Sequence, residues 1–427
     1  MKFRLNPFSQ NFCRSDIYSV LLCASLLLGT GCDEQVDWLA YRGINGAGYT
    51  SNSLYPPLGL KWKLSLQDDK AKQAQAFNPP VVMGDAIYFG SNDGNFYSLD
   101  VERGYMNWIF KTRAKVNSVP YADEDRIYFG SNDGRVYAVD REKGTKLWEF
   151  QTYHTVQSLI LRYEDTIIFT SDTGATYFLN PEGKEQHRIP NPVWSHHTFQ
   201  VYDGVVYWAP LGRRFGAYDI ASKRFLWNVD VTARYPVWYS FPAIDDERVY
   251  FASNFYMYGP SELRFYAVNR LDGSSVWDQR YEMDIGSNVK QNRDTMFMRH
   301  VYLLDYMAPA LWRNRVIFTA GETVVRAFEA ESGEILWERH FAYPTSSAPT
   351  VAGDRVYFGV RGDGTRLEGA DKSSGRAPRL VCLSAKDGRI LWDMDTEGAI
   401  LNAPVVSGKR MIFGTETNKF YVLEEVF

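Results

Sequence analysis

Residues 87–108 read IYFGSNDGNFYSLDVERGYMNW, and forty positions later residues 127–148 read IYFGSNDGRVYAVDREKGTKLW. Each copy reads as an apolar strand, a tight Asn-Asp-Gly turn, an alternating strand, a Gly-terminated turn and a strand ending in Trp. A self-similar unit of about 40 residues with several strands is the mark of a β-propeller blade. The spacing extends through the chain. A polar residue precedes a Trp by eight positions at Asp100/Trp108, Asp140/Trp148, Asp219/Trp227, Asn269/Trp277, Glu329/Trp337 and Ser384/Trp392. A Gly four residues before the Trp recurs at Gly104, Gly144, Gly273, Gly333 and Gly388, as a turn with φ > 0 requires.

The 79 residues between Trp148 and Trp227 hold two units. The hidden one spans 167–189, with Asn180 and Gly183 in register but His187 near the Trp position. The last copy, 403–427, stops after its third strand, and a matching fourth strand lies at the other end of the chain around Trp62. Joining terminal strands in one blade closes a propeller and removes exposed sheet edges. The expectation is an all-β, eight-bladed propeller of four-stranded antiparallel blades, with seven blades if the hidden copy is overcounted. One Trp per blade buries ~150–250 Å², worth ~4–6 kcal/mol as an upper bound. Trp62, Trp108, Trp148, Trp227, Trp277, Trp337 and Trp392 are therefore read as a structural ring that needs no ligand.

The start of the chain reads as an export signal. Lys2, Arg4 and Arg14 precede a twelve-residue apolar stretch, 17–28, which is shorter than the ~20 residues of a membrane span. It ends in Gly29-Thr30-Gly31-Cys32, which resembles the lipobox of bacterial lipoproteins, although Gly29 stands where that family prefers Leu, Val or Ile. That resemblance implies cleavage after residue 31 and lipidation of Cys32. Residues 33–57, with Gly43, Gly46, Gly48, Pro56 and Pro57, read as a flexible tether to a propeller spanning 58–427. Asp33 resembles an inner-membrane retention signal, so both membranes stay open, with the periplasmic face of the outer membrane favoured. Loss of residues 1–31 takes the formal charge from −4 to −6 and, with no basic run, argues against nucleic-acid partners. Only Cys382 then remains as a free thiol, aligned with Ala138 and Ser98, so it reads as a buried filler and no internal disulfide can form.

The unit G-x-x-x-Y-F-G-S-x-D-G-x-x-Y-A-x-D-x-x-x-G-x-x-x-W resembles the quinoprotein-type, or PQQ-like, propeller repeat, and residues 84–108 match it almost throughout. The opening Trp38-Leu-Ala-Tyr-Arg42-Gly43 resembles the start of such proteins. With the lipobox and the chain length, the similarity is to the BamB-like lipoproteins of outer-membrane protein assembly. That resemblance implies a non-catalytic scaffold, monomeric within an envelope complex, with β-barrel assembly components as partners. The motif is specific for fold and weak for function. PQQ-dependent dehydrogenases share the repeat, but the family carries a vicinal Cys pair and acidic calcium ligands. This chain has no adjacent cysteines and no C-x-x-C-H. His196 and His197 lack metal-ligand spacing, and the Asn-Asp-Gly turns suit hairpins better than calcium loops. No catalytic residue, metal or cofactor is expected.

Three insertions, 255–263, 279–307 and 361–379, interrupt the repeat in blades five to seven. The first and third join second to third strands and the middle one joins a fourth strand to the next first strand, so all three leave the antiparallel blades at one face. Loops on a rigid scaffold are where function concentrates. Their residues Tyr256, Tyr258, Arg361, Arg366 and Arg376, with neighbouring Trp194, His196, His197, Tyr235, Trp238 and Tyr239, form the candidate partner-binding face, since Tyr, Trp and Arg are common interface anchors. The alternatives are a sensor binding sugar or quinone beside Trp194 and Trp238, and a PQQ enzyme with a reduced site.

Overall fold

The computed structural model describes residues 37–65, 78–172, 175–190, 198–208, 214–230, 238–255, 262–284, 307–362 and 377–426. Eight antiparallel sheets succeed one another along the chain. Blade 1 comprises Val81–Met83, Ala86–Gly90, Asn95–Asp100 and Met106–Lys111 from the centre outward. The sequence-degenerate copy is a complete blade 3, from Leu161–Tyr163 to Glu185–Pro190. Blade 8 combines Val405–Ser407, Arg410–Gly414 and Lys419–Glu425 with Leu58–Ser65, whose antiparallel register runs from Leu58 opposite Glu425 to Ser65 opposite Lys419. The ring therefore has eight blades and closes through the N-terminal strand.

Burial explains why the strands differ in pattern. Second strands such as Ala86–Gly90 and Arg126–Gly130 are buried on both sides after their first residue, because a neighbouring blade covers each face. They accordingly read as continuous apolar runs rather than alternating ones. Outer strands such as Lys146–Gln151 alternate between half-buried and exposed. The Asn-Asp-Gly turns brace their own hairpins. Asp133 Oδ1 accepts the Arg135 N–H at 3.0 Å and its Oδ2 accepts the Tyr137 hydroxyl at 2.7 Å. Asp93 does the same for Asn95 and Tyr97.

Adjacent blades are locked by one repeated contact. The Trp108 indole donates its Nε1–H to the Arg141 carbonyl of blade 2 at 2.9 Å, and its ring lies under Gly144 of the same turn. The arrangement recurs for Trp62 on blade 1, Trp148 on blade 3, Trp227 on blade 5, Trp277 on blade 6 and Trp337 on blade 7. Gly144 has φ +66°, and a Cβ there would stand 2.5 Å from the Trp108 ring, so turn geometry and ring contact both demand glycine.

Two joints depart from this pattern. Between blades 3 and 4 the Trp is replaced by His187, whose register partner is Phe178, where the other full blades carry Ser, Ala or Cys. Phe178 and His187 stack at 4.0 Å, and His187 Nε2 lies 3.1 Å from the Tyr218 hydroxyl. Burial, then Lys223, holds the imidazole pKa below its ordinary value. The turn glycine has gone as well: Lys223 occupies its place with φ +56°. Without a Trp ring to receive, that position no longer excludes a side chain. Between blades 7 and 8, Trp392 packs against the cluster containing Met411 and Phe413, where the third and fourth strands of blade 8 come from opposite ends of the chain.

The expected flexible tether is corrected from Asp37 onward. Residues 37–57 circle the inside of the ring before reaching blade 8. Trp38 exchanges backbone hydrogen bonds with Val82 of blade 1 (2.8 and 2.9 Å), and the Leu39 carbonyl accepts Ala122 N–H of blade 2. Tyr41 belongs to a buried central cluster with Val119, Leu159, Phe199, Phe241, Ala308, Ala348 and Ala403, drawn from blades 2–8. Ala47 and Gly48 offer carbonyls to Leu311 and Val351, and Tyr49–Thr50 pairs in parallel with Thr350–Ala352 of blade 7. The Leu54 carbonyl accepts the Tyr357 hydroxyl at 2.5 Å. The composition rich in glycine serves close approach to blade backbones rather than slack: a Cβ on Gly46 would stand 2.6 Å from the Pro242 carbonyl oxygen.

Candidate functional site: the insertion face

Strand order fixes two opposite ends of the ring. The turns between first and second strands and between third and fourth strands lie at one end, the turn face. The second-to-third loops and the fourth-to-first connectors lie at the other, the insertion face. The first insertion joins Arg248–Phe255 to Glu262–Asn269 and the third joins Arg355–Val360 to Arg379–Ser384. The middle one leaves Ser275–Glu282 and reaches Ala310–Trp312. All three therefore open on the insertion face of blades 5 to 7. They are shorter than the sequence suggests, because residues 279–282 continue a fourth strand and 255, 262, 263 and 379 are strand residues.

The root of the middle insertion is held by a buried charge pair. Blade 6 carries Glu322 and Arg326 where blade 1 carries Asp93 and Tyr97, so an ion pair replaces the hydroxyl-to-carboxylate hydrogen bond of that turn. Glu322 is fully buried, bonded to Arg326 Nη1, and its Oε2 accepts the Asp284 N–H at 3.2 Å. Arg326 also reaches Glu338 at 2.8 Å and stacks over the Tyr281 ring at 4.2 Å. Thr323 binds Asp284 through its amide at 2.8 Å and through its hydroxyl at 2.7 Å. The chain thus enters the insertion from a fixed point.

Burial raises the Glu322 pKa to about 7, partly opposed by Arg326. A carboxyl with a raised folded pKa contributes stability below its unfolded value and loses it as pH rises toward the folded one. Stability should therefore fall from pH 4.5 to 7 by a Glu322 contribution on the order of 1 kcal/mol or more. In Glu322→Gln that contribution is absent, so the variant should gain on the wild type across this window. Urea midpoints at pH 4.5, 5.5 and 7 measure it, and parallel pH profiles would contradict it.

The predicted partner residues distribute unevenly. Tyr239 is fully buried, with ring contacts to Phe215 and Phe251 at 6.3 and 6.0 Å, so it is a core residue and not a docking anchor. Its position in Trp238–Tyr239, paired with the second strand of blade 5, turns it inward. Trp238 is its strand neighbour, opposite Asn254. Arg361 is buried at 7% exposure, its amide bonded to the Pro344 carbonyl, so it anchors the third insertion rather than presenting it. Trp194, His196, His197, Tyr235, Tyr256, Tyr258, Arg366 and Arg376 lie outside the described residues, as does Cys32.

Sequence reasoning missed Arg42. It sits at 1% exposure inside the ring, donating from Nη2 to the Pro309 and Pro349 carbonyls, while Nε and Nη1 have no hydrogen-bond partner among the described residues. Burial pushes its pKa down to about 9. Its only sequence signal was its place in the Trp38–Gly43 motif, which reads equally well as part of a linker.

The residues do not fit a PQQ–calcium centre. Tyr41 and Arg42 of the chain itself fill the middle of the ring, and among the described residues no three His, Cys, Asp or Glu side chains cluster as metal ligands. Cys382 is buried in blade 7 opposite Trp392, and burial pushes its thiol up to about 12, the behaviour of a packing group rather than a nucleophile.

A family model described as outer membrane protein assembly factor BamB matches residues 59–191, 161–306, 266–377 and 373–426. No curated protein matches the chain. Among solved structures, BamB from Moraxella catarrhalis is 16% identical with a TM-score of 0.63, covering 86% of this chain and 99% of that one. The computationally designed protein Ika8 is 13% identical with a TM-score of 0.62, covering 86% and 100%. Quinohemoprotein alcohol dehydrogenase from Comamonas testosteroni is 13% identical with a TM-score of 0.64, covering 91% and 80%. A BamB, a designed protein and an alcohol dehydrogenase share the architecture, so these likenesses speak to fold alone.

Proposed function

The chain belongs to the PQQ-like propeller family described as outer membrane protein assembly factor BamB, and from that premise we propose that it is a non-catalytic scaffold of the cell envelope. On this reading it is exported, anchored through lipid on Cys32, and binds a protein partner through its insertion face. The β-barrel assembly machinery is the partner class that family membership favours. The observation that carries the proposal is the placement of the three insertions at one end of blades 5 to 7. The second-to-third loops of blades 1, 2 and 8, by contrast, are the four-residue turns 91–94, 131–134 and 415–418.

The roots of these insertions are built to survive their removal. Asp284 is pinned to Thr323 and Glu322, and Arg361 to Pro344. A variant lacking 287–304 and 364–375, each bridged by a short Gly-Ser linker, should keep the unfolding midpoint of the parent within a few degrees. It should lose most of the partner recovered by mild cross-linking and pull-down from intact envelopes. Unchanged recovery by the folded variant would reject the insertion face as the docking surface. Recovery of no protein even with the full chain would reject the scaffold reading itself.

A further inference from the structure

We propose that the turn face beside blade 1 is the surface this propeller lays against a lipid bilayer, so that the insertion face points away from the membrane. The inference rests on lipidation of Cys32.

The path of the chain carries it. Trp38 pairs antiparallel with Val82, in the first strand of blade 1, so the preceding residue is directed toward the turn that ends that strand. Asp37 Oδ1 accepts the Gly84 N–H of this turn at 2.8 Å, which fixes the exit point on the turn face. Four residues, 33–36, separate Asp37 from Cys32. Five Cα steps at ~3.3–3.6 Å give a reach of at most about 16–18 Å. A second strand of five residues already spans ~17 Å, so a lipid on Cys32 would bring the insertion face to the bilayer only with all five steps fully extended along the whole depth of a blade.

The surface at that exit has interfacial chemistry. The third-to-fourth turn of blade 1 presents Tyr105 at 69% and Met106 at 55% exposure, beside exposed Arg103. Tyr is favoured at headgroup depth, with an apolar ring and a polar tip. Nearby Asp85 and Glu102 keep the contact at the rim rather than allowing the face to sink into the apolar layer. At the opposite end of the ring, on blades 5 to 7, are the roots of the insertions, free to meet a partner in the aqueous phase.

The thiol inventory makes the test clean. After signal removal and acylation only Cys382 is free, and it is fully buried. Asp85→Cys on the turn face and Tyr153→Cys, an 88% exposed connector residue on the insertion face, can each carry a single fluorophore. The full lipidated protein is reconstituted in phosphatidylcholine vesicles bearing a headgroup nitroxide. Severalfold stronger quenching at position 85 than at 153 is expected. Equal quenching, or stronger quenching at 153, would overturn the orientation. Intact mass is read first: a mature chain without lipid on Cys32 would overturn the anchoring reading and the orientation with it, whereas a lipidated chain with equal quenching overturns the orientation alone.

Discussion

Removing residues 37–54 while keeping the strand Leu58–Ser65 should leave a chain without a cooperative unfolding transition at 25 °C. All eight blades remain encoded, yet the inner wall loses its filling. Trp38, Tyr41 and Leu54 are at most 3% exposed, and Tyr41 joins the cluster that gathers residues from blades 2 to 8. Truncating a buried aromatic costs ~3–5 kcal/mol and a buried Leu ~2–5. Three such losses, with the backbone pairs to Val82, Ala122, Leu311 and Val351, compare with a whole domain stability of ~5–15 kcal/mol. Chemical denaturation followed by Trp emission measures it. A truncated chain with a midpoint near that of the parent would refute the assignment of residues 37–54 to the core. Arg42 should behave differently from its neighbours. Arg42→Met keeps the volume and removes a buried charge whose Nε and Nη1 have no hydrogen-bond partner among the described residues, so it should cost far less than Tyr41→Ala.

Gly144→Ala should destabilise by about 2–5 kcal/mol. One part is the left-handed backbone at φ +66°, worth ~1–2 kcal/mol for a residue with a Cβ. The other is overpacking, ~1–3 kcal/mol, because that Cβ would meet the Trp108 ring at 2.5 Å. The blade 3–4 joint separates the two causes. Lys223 has the same backbone sign but faces His187 rather than a Trp, so Lys223→Gly should stabilise by roughly 0.5–1 kcal/mol, the ~1–2 kcal/mol of strain relieved less glycine's entropic cost, with no overpacking involved. His187→Trp by itself should destabilise, since Phe178 fills the space that a small residue leaves open at Trp108 and Trp148. Combined with Phe178→Ala and Lys223→Gly it should recover most of that loss. Non-additivity of this triple change, read from urea midpoints, is the deciding observation. Strict additivity would mean that the three positions do not form one joint.

The fold was legible in the sequence because a blade's demands are local. A tight turn with a side-chain acceptor, a glycine at positive φ and a Trp at fixed spacing are each set within one unit, and repetition multiplies the signal. Even the degenerate copy was found, since Asn180 and Gly183 kept their turn although the Trp had become His187. The meaning of that change was not legible. His187, Phe178 and Lys223 lie in two blades, and only their meeting shows that the loss of the ring and the loss of the next glycine are one event.

The candidate site was half legible for a related reason. Loop lengths and strand order placed the insertions at one end of consecutive blades, because antiparallel topology assigns every loop to one of two faces. Whether an aromatic points out or in was not determined by composition, and Tyr239 points in. The same ambiguity misplaced residues 37–57. Gly, Pro and Asn describe a flexible linker equally well as a segment pressed against inner strands, because small residues serve slack in the one and close backbone approach in the other. Sequence alone thus pointed to eight blades with seven as the fallback, and determined the closure through Trp62 and the end of the ring that carries the insertions. Only the tertiary structure decided that Tyr41 and Arg42 fill its centre, since that packing requires residues up to about 360 positions apart to converge on one axis, and no local period records it.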